Sequence, residues 1–387
     1  MPAKRTKQVV PIRIAFLDVG QGDTIVVTAP QMQEAIVIDC IDEKAVLTYL
    51  KQENIKRLRA IIITHLHEDH YSRALKLFNN LPQFGISECE RLCFNPLPIK
   101  NRQLLDLLLR DKDEHSLDGL NDSKARKTAY QNLLEAKQRH KPKFRRIFEQ
   151  EDYPLPIEGA LAQQIRVMHP HSSDYDSLLG QGLNNTSVVL HITTNKLSTL
   201  LMGDLEPSGF QVLQANHPEL RSNVLKFPHH GGAWTRDEAI HLLSQTQPSL
   251  VVISVGTTSK GGQYQDSSNH YGHPTTGVFE ALREWSKVQN PFRLLCTQAT
   301  SQCKSALLDL YQRVIVRETL ISRHLTEAKN RGQTMIGSKE GCPCAGTVII
   351  ELSDQVRVIQ PTPQFHLNII TSQFKDSRTD HHQCHIH

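Results

Sequence analysis

The run from Ile61 to His70 (IIITHLHEDH) constrains this chain more than any other stretch. Its three isoleucines read as a buried strand, and the strand stops at a cluster of metal-binding side chains: His65, His67, Asp69 and His70. Residues 72–78 (SRALKLF) then read as the first turns of a helix. A strand end whose ligand loop closes onto a helix gathers several donors around one point. Neutral imidazole nitrogen and carboxylate oxygen suit Zn²⁺, with Mn²⁺ or iron compatible on donor type alone.

The chain on either side has the same grammar. Residues 12–17, 24–28 and 35–38 are short β-branched runs separated by turn residues, including the Gly-rich DVGQGD turn, so a hairpin or meander is expected. The third run ends in Asp39-Cys40. Residues 42–52 have helical spacing, with Val46, Leu47 and Leu50 on one face. Strands are expected again at 162–168, 187–192, 197–202, 224–227 and 250–255. Four of the five deliver polar residues at or after their ends: His169 and His171, Asp204, His229 and His230, and His273. A helix over 276–286 follows. Strands alternating with helices in this way indicate an α/β fold.

Composition bounds the rest. With 387 residues, 39% hydrophobic and 22% charged, the chain is expected to fold as a soluble globular protein. No stretch approaches 18 apolar residues, so no membrane partner is expected. The N-terminal residues 1–10 are a basic lead-in without an apolar core, which argues against a signal peptide and for a cytoplasmic location. The net charge of +4 does not by itself demand nucleic acid. Its distribution is more informative: from Lys124 to Arg146 there are nine Lys or Arg and one acid, Glu135. Such a block can track a phosphate backbone, or it can be the solvated face of an inserted helix. Five of the eight cysteines lie beyond residue 290. Cys342 and Cys344 could form a structural zinc site with Cys303 and Cys384, although ordinary buried thiols are the simpler reading. The expected organisation is a lead-in (1–10), a main domain (11–290, with an insert at about 97–156) and a C-terminal Cys/His-containing extension (291–387).

Taken in order, FLDVGQGD, VIDC, THLHEDH, LMGDLE, KFPHHGG and NHYGHP resemble the metallo-β-lactamase fold, and more narrowly the hydrolase domain of the ComEC/Rec2 competence proteins and its free-standing relatives. The resemblance spans about residues 11–285. It implies a four-layer αββα sandwich with a metal-lined edge, and Zn²⁺ as the cofactor, expected as two ions with Mn²⁺ as the alternative. By the family pattern, His65 and His67 would serve a first ion, and Asp69 and His70 a second. Asp204 would bridge them, and His229 or His230 would complete the set. Asp39 would orient a ligand from behind. The family's further histidine is replaced here by Asn184 and Asn185, with His169 a candidate substitute from upstream. Lys226, Tyr271 and His273 would contact the substrate beside Asp69. The implied function is a metal-dependent phosphodiesterase or nuclease, with nucleic acid the favoured substrate. A small-molecule phosphodiester or ester hydrolase, and a component activated by a protein partner, are the alternatives.

Overall fold

The computed structural model describes residues 11–87, 89–97, 123–139, 141, 143–149, 155, 157–194, 196–256, 273–289, 291–298 and 344–362. β1 (Ile12–Phe16), β2 (Ile25–Ala29) and β3 (Glu34–Ile38) form the antiparallel meander that the short β-branched runs predict. α1 (Glu43–Gln52) crosses over to β4 (Arg57–Ile62), which lies parallel to β3. Asp42 caps α1, its carboxylate accepting from the backbone N–H groups of Lys44 and Ala45. Past the ligand loop come α2 (Glu68–Tyr71), α3 (Ala74–Asn80), β5 (Arg91–Cys93), α4 (Ser123–Arg139) and β6 (Phe144–Arg145).

The second sheet begins with β7 (Ile165–His169), and α5 (Tyr175–Gln181) leads to β8 (Val189–Thr193) and β9 (Ser198–Leu201). α6 (Pro207–Asn216), β10 (Val224–Lys226), α7 (Arg236–Thr246), β11 (Leu250–Ile253), α8 (Thr276–Val288) and β12 (Arg293–Cys296) complete it. β13 (Val348–Leu352) and β14 (Val356–Gln360) then return to the first sheet. The strand orders are β14-β13-β1-β2-β3-β4-β5-β6 and β12-β11-β10-β9-β8-β7.

Three apolar cores define four layers. Between the sheets, Phe16, Val27, Ile36 and Ile62 share one core with Val167, Leu190, Val224 and Leu250. On the outer face of the first sheet, Val26, Val37 and Ile61 pack with Val46, Leu50 and Leu77 of its helices. On the outer face of the second, Leu200, Leu225 and Val251 pack with Phe210, Leu242 and Leu282. Alternate residues of one strand thus enter different cores, which is why these strands read as nearly continuous hydrophobic runs. The αββα order is the one expected.

Two expectations need correction. The boundary at 290/291 does not divide the sandwich from an appendage. β12 extends the second sheet, and β13 pairs along its length with β1. The physical reason is that the VIIEL run buries four of its five residues and satisfies the otherwise open edge of β1. Helices α6 and α7 also went unanticipated. Pro207 opens α6, and a reciprocal capping box between Thr235 and Glu238 opens α7. In the basic insert, the apolar helix that residues 104–110 suggest lies outside the described residues, whereas α4 is helical as expected and β6 adds a strand.

A chain ended after residue 298 loses β13 and β14 and exposes β1. It should lose cooperative thermal unfolding and aggregate. A soluble, cooperatively melting product would show instead that the C-terminal strands are dispensable.

Candidate metal centre

The site forms where the carboxyl ends of β3, β4, β9 and β10 meet. Asp39, at the end of β3, is fully buried and sits in the left-handed region at φ 55°, unusual for a residue other than glycine. Its own N–H donates to Ile62 O at 2.8 Å. Its carboxylate accepts three hydrogen bonds: from Thr64 N (2.7 Å), from Thr64 Oγ1 (2.7 Å) and from His70 Nδ1 (2.7 Å). With Nδ1 carrying the proton, His70 presents the lone pair of Nε2 to the cluster. Burial raises the Asp39 carboxyl above its usual range, against the opposing pull of His70.

Around His70 the other donors converge. Asp204 Oδ2 lies 3.1 Å from His70 Nε2, 3.3 Å from His230 Nε2 and 3.9 Å from His65 Nε2. His65 Nε2 lies 3.1 Å from His67 Nδ1, and Asp69 Oδ2 lies 3.9 Å from His230 Nε2. Donors around one tetrahedral zinc ion stand about 3.3 Å apart. His65, His70 and Asp204 form one group of candidate ligands, and Asp69, His70 and His230 another. His230 Nε2 is buried without a hydrogen-bond partner among the described residues. Buried polar atoms are rarely left so, and a cation among these donors accounts for it. The residues therefore fit a divalent metal. His65, His67, Asp69, His70, Asp204 and His230 would hold it.

The two histidines of the PHHG turn separate in space. Both have positive φ (49° and 52°), and this local twist sends neighbouring side chains different ways. His230 joins the cluster, steadied by Nδ1 against Ser254 O at 2.8 Å. His229 instead stands beside His273, with ring centroids 5.3 Å apart, and its Nδ1 is 3.5 Å from Glu206 Oε1. Asn184 Nδ2 donates to the same Glu206 oxygen at 2.8 Å and lies 3.4 Å from His229 Nε2. Asn185 Oδ1 accepts from Gly209 N, so it fixes the start of α6.

Other expected residues fall elsewhere. His169 is fully buried, and its Nε2 meets Asn185 O at 2.9 Å, outside the candidate ligand groups. Lys226, expected to reach substrate, is fully buried and ion-paired with Asp23 and Asp204, so it serves the site from beneath. The DVGQGD turn, with Asp23 expected to hold the loop, packs beneath the site as expected, Asp23 N donating to Asp69 O at 3.3 Å. Glu206 is the member without a sequence expectation, and its place two residues past Asp204 was the available signal. Tyr271, Cys303, Cys342 and Cys384 lie outside the described residues; Cys344 is buried.

Two glycines make the packing possible. At Gly22, with φ +107°, a Cβ would stand 2.3 Å from Asp69 O, so the DVGQGD turn can lie directly against the ligand loop. A Cβ on Gly232 would stand 2.2 Å from the His273 ring.

Electrostatics divide the histidines into two kinds. Burial opposes charging His70 and His230, yet Asp204 beside both overcomes it and raises them, with Asp39 adding to the effect on His70. Burial holds Asp204 up, but His230 and His70 bring it well below the usual carboxylate range. His65 is pushed well down by burial and then by His70 and His67. Burial, and next the neighbouring His229, lowers His273 to about 3. His67, Asp69, Glu206 and His273 are only partly buried and form the mouth.

Residues 17–83 match the Metallo-beta-lactamase superfamily. ComE operon protein 3 of Bacillus subtilis (strain 168) is 25% identical over 299 residues, covering 70% of this chain. The chain spans 31% of that relative's length. Among solved structures, the metallo-beta-lactamase fold protein YhfI from Bacillus subtilis is 12% identical with a TM-score of 0.37, covering 74% of this chain and 96% of its own. Human tRNase Z, short form, is 12% identical with a TM-score of 0.33, covering 75% and 93%. Likenesses this distant say nothing of activity. Among the described residues, no helix is long and apolar enough to cross a membrane.

A pH dependence follows from the raised histidines. In the metal-free chain, the stability contributed by protonated His70 and His230 is fully present below about pH 6.5 and is lost as pH rises through their raised values. A divalent ion must displace those protons, so its affinity should climb over the same window, with proton release. Chelator-competition titrations at about pH 6 and about pH 8 test this. Equal affinity at both values would contradict it.

Proposed function

For a ComEC-like chain of the metallo-β-lactamase fold, we propose a metal-dependent phosphodiesterase whose favoured substrate is nucleic acid. The observation that carries the reading is the convergence of Asp204 Oδ2 on three imidazole nitrogens at a partly open sheet edge. Divalent ions held there, taken as two Zn²⁺ with Mn²⁺ the alternative, would supply Lewis acidity toward a phosphoryl oxygen and a water activated at neutral pH. The chain's own groups divide the remaining work. Asp39 holds the His70 tautomer. His273, neutral at physiological pH, offers the mouth a hydrogen-bonding imidazole without added charge. Glu206 and Asn184 fix His229 next to it.

The preference for a polymer is supported by a basic strip on the same sheet. β4, β5 and β6 are parallel, with Ile62, Cys93 and Arg145 in one register row. Arg146 therefore emerges at the edge where the ligand loop lies, about 10 Å away across two strand spacings. Its guanidinium lies 4.6 Å from the centroid of the Phe148 ring, and Lys137 Nζ lies 4.7 Å from that of Phe144. Stacked cations of this kind suit a phosphate backbone with adjoining bases. A cytoplasmic location accords with this substrate and belongs to the same proposal.

Wild type, Asp69→Ala and Lys137→Glu/Arg146→Glu are to be assayed on bis(p-nitrophenyl) phosphate and on single- and double-stranded DNA and RNA. Asp69→Ala should lose at least 100-fold on every substrate, the scale of a lost metal ligand. The charge reversal should spare the small diester, weaken polymer binding and flatten its salt dependence by about two phosphate contacts. Cleavage of the small diester alone would turn the reading toward a small-molecule hydrolase. Activity only after adding cell extract would turn it toward a partner-activated component.

A further inference from the structure

The metal cluster has an acidic corner that the histidines do not fill. Asp23, Asp204 and His230 bring donor atoms together there, and Asp23, Asp39 and His70 do so alongside. Both Asp23 and Lys226 are fully buried, and the lysine occupies this corner. Its Nζ donates to Gly203 O at 2.9 Å, pairs with Asp23 Oδ2 and lies 3.6 Å from Asp204 Oδ1. The two oxygens of Asp204 consequently face opposite surroundings: Oδ1 looks to the ammonium, while Oδ2 looks to His70, His230 and His65.

We infer that Lys226 is a positioning residue, a built-in cation that holds Asp204 by Oδ1 so that Oδ2 alone is turned to the metal, and that it closes the Asp23 corner to any further ion. The inference rests on the metal-centre reading above and adds how the ligand set is limited. Gly203 supports the arrangement from the other side. Its carbonyl accepts from both Lys226 Nζ and the backbone N–H of His229, so β10 and the turn after it grip the residue next to Asp204. Asp23 carries the restraint onward. Its backbone N–H donates to Asp69 O at 3.3 Å, and its Oδ1 lies 4.0 Å from His230 Nδ1. One buried ammonium thus links the DVGQGD turn, the Asp204 loop and the PHHG turn. An ion pair of purely structural value would tie those segments but leave the metal's own surroundings indifferent to it.

The test uses the full chain loaded with Co²⁺, whose visible absorption reports ligand number and symmetry. Lys226→Met alone would strand Asp23 as a buried charge, so the decisive variant is Lys226→Met/Asp23→Asn, which removes both charges together. It is expected to bind Co²⁺ at least tenfold more weakly and to change the absorption spectrum. Asp23→Asn alone leaves Lys226 on Asp204 and Gly203 and is expected to keep the wild-type spectrum. A double variant with wild-type spectrum and affinity would overturn the inference. If the double variant does not fold, Lys226→Gln decides, because its amide N–H can still serve Gly203 O and Asp23 while the charge is gone: a changed spectrum supports the clamp, and an unchanged one overturns it. Wild type that takes up no Co²⁺ would remove the metal centre itself and the clamp with it, an outcome distinct from a failure of the clamp alone.

Discussion

The Asp39 carboxylate is the group on which the rest of the site depends. It is buried without exposure, it stands at a backbone angle that costs about 1 kcal/mol or more, and it accepts from one backbone and two side-chain donors at once. Those three bonds fix where β4 stops, how Thr64 turns the chain, and which nitrogen of His70 faces inward. Removing any one would leave a buried polar group unmatched. The strain persists because the surrounding strands over-determine it, with Ile62 O taking the Asp39 N–H and His70 O taking that of Cys40.

The second sheet meets this fixed point through equally local devices. Thr64 O accepts from Val188 N at 3.0 Å, a main-chain bond between the two halves at the site itself. Ser187 Oγ accepts from Asp204 N at 3.1 Å, so the residue at the start of the second-sheet hairpin also aims the central carboxylate. Charges are then matched in place: Asp39 against His70, Asp23 against Lys226, and Asp204 against two raised imidazoles whose protons a divalent ion would replace. A cluster of buried acids is tolerable only when compensated this closely.

Much of this was legible in the sequence because it is written in short-range chemistry. Runs such as IVVT and LVVI can only be buried strands, and the crowding of His65, His67, Asp69 and His70 leaves few uses other than a metal. What escaped depended on distance or on backbone angle. His229 and His230 are neighbours in sequence, and only the left-handed twist of their turn shows that one enters the cluster while the other faces His273. Lys226 looks like a substrate-binding cation until its partner Asp23 appears from the far end of the chain. The C-terminal strands looked separable because their pairing partner, β1, lies more than 300 residues earlier. Helices α6 and α7 lack a strong apolar repeat, so Pro207 at the start of α6 and the Thr235/Glu238 capping box of α7 were the better signals.

The central claim is that Asp204 and the histidines around it hold a divalent metal, with His230 and not His229 as the ligand from the PHHG turn. The direct measurement is the number of metal ions per chain by elemental analysis for wild type, His230→Ala and His229→Ala purified side by side. The account predicts metal in wild type, a loss in His230→Ala, and wild-type content in His229→Ala. Metal-free wild type, or a loss confined to His229→Ala, would contradict it.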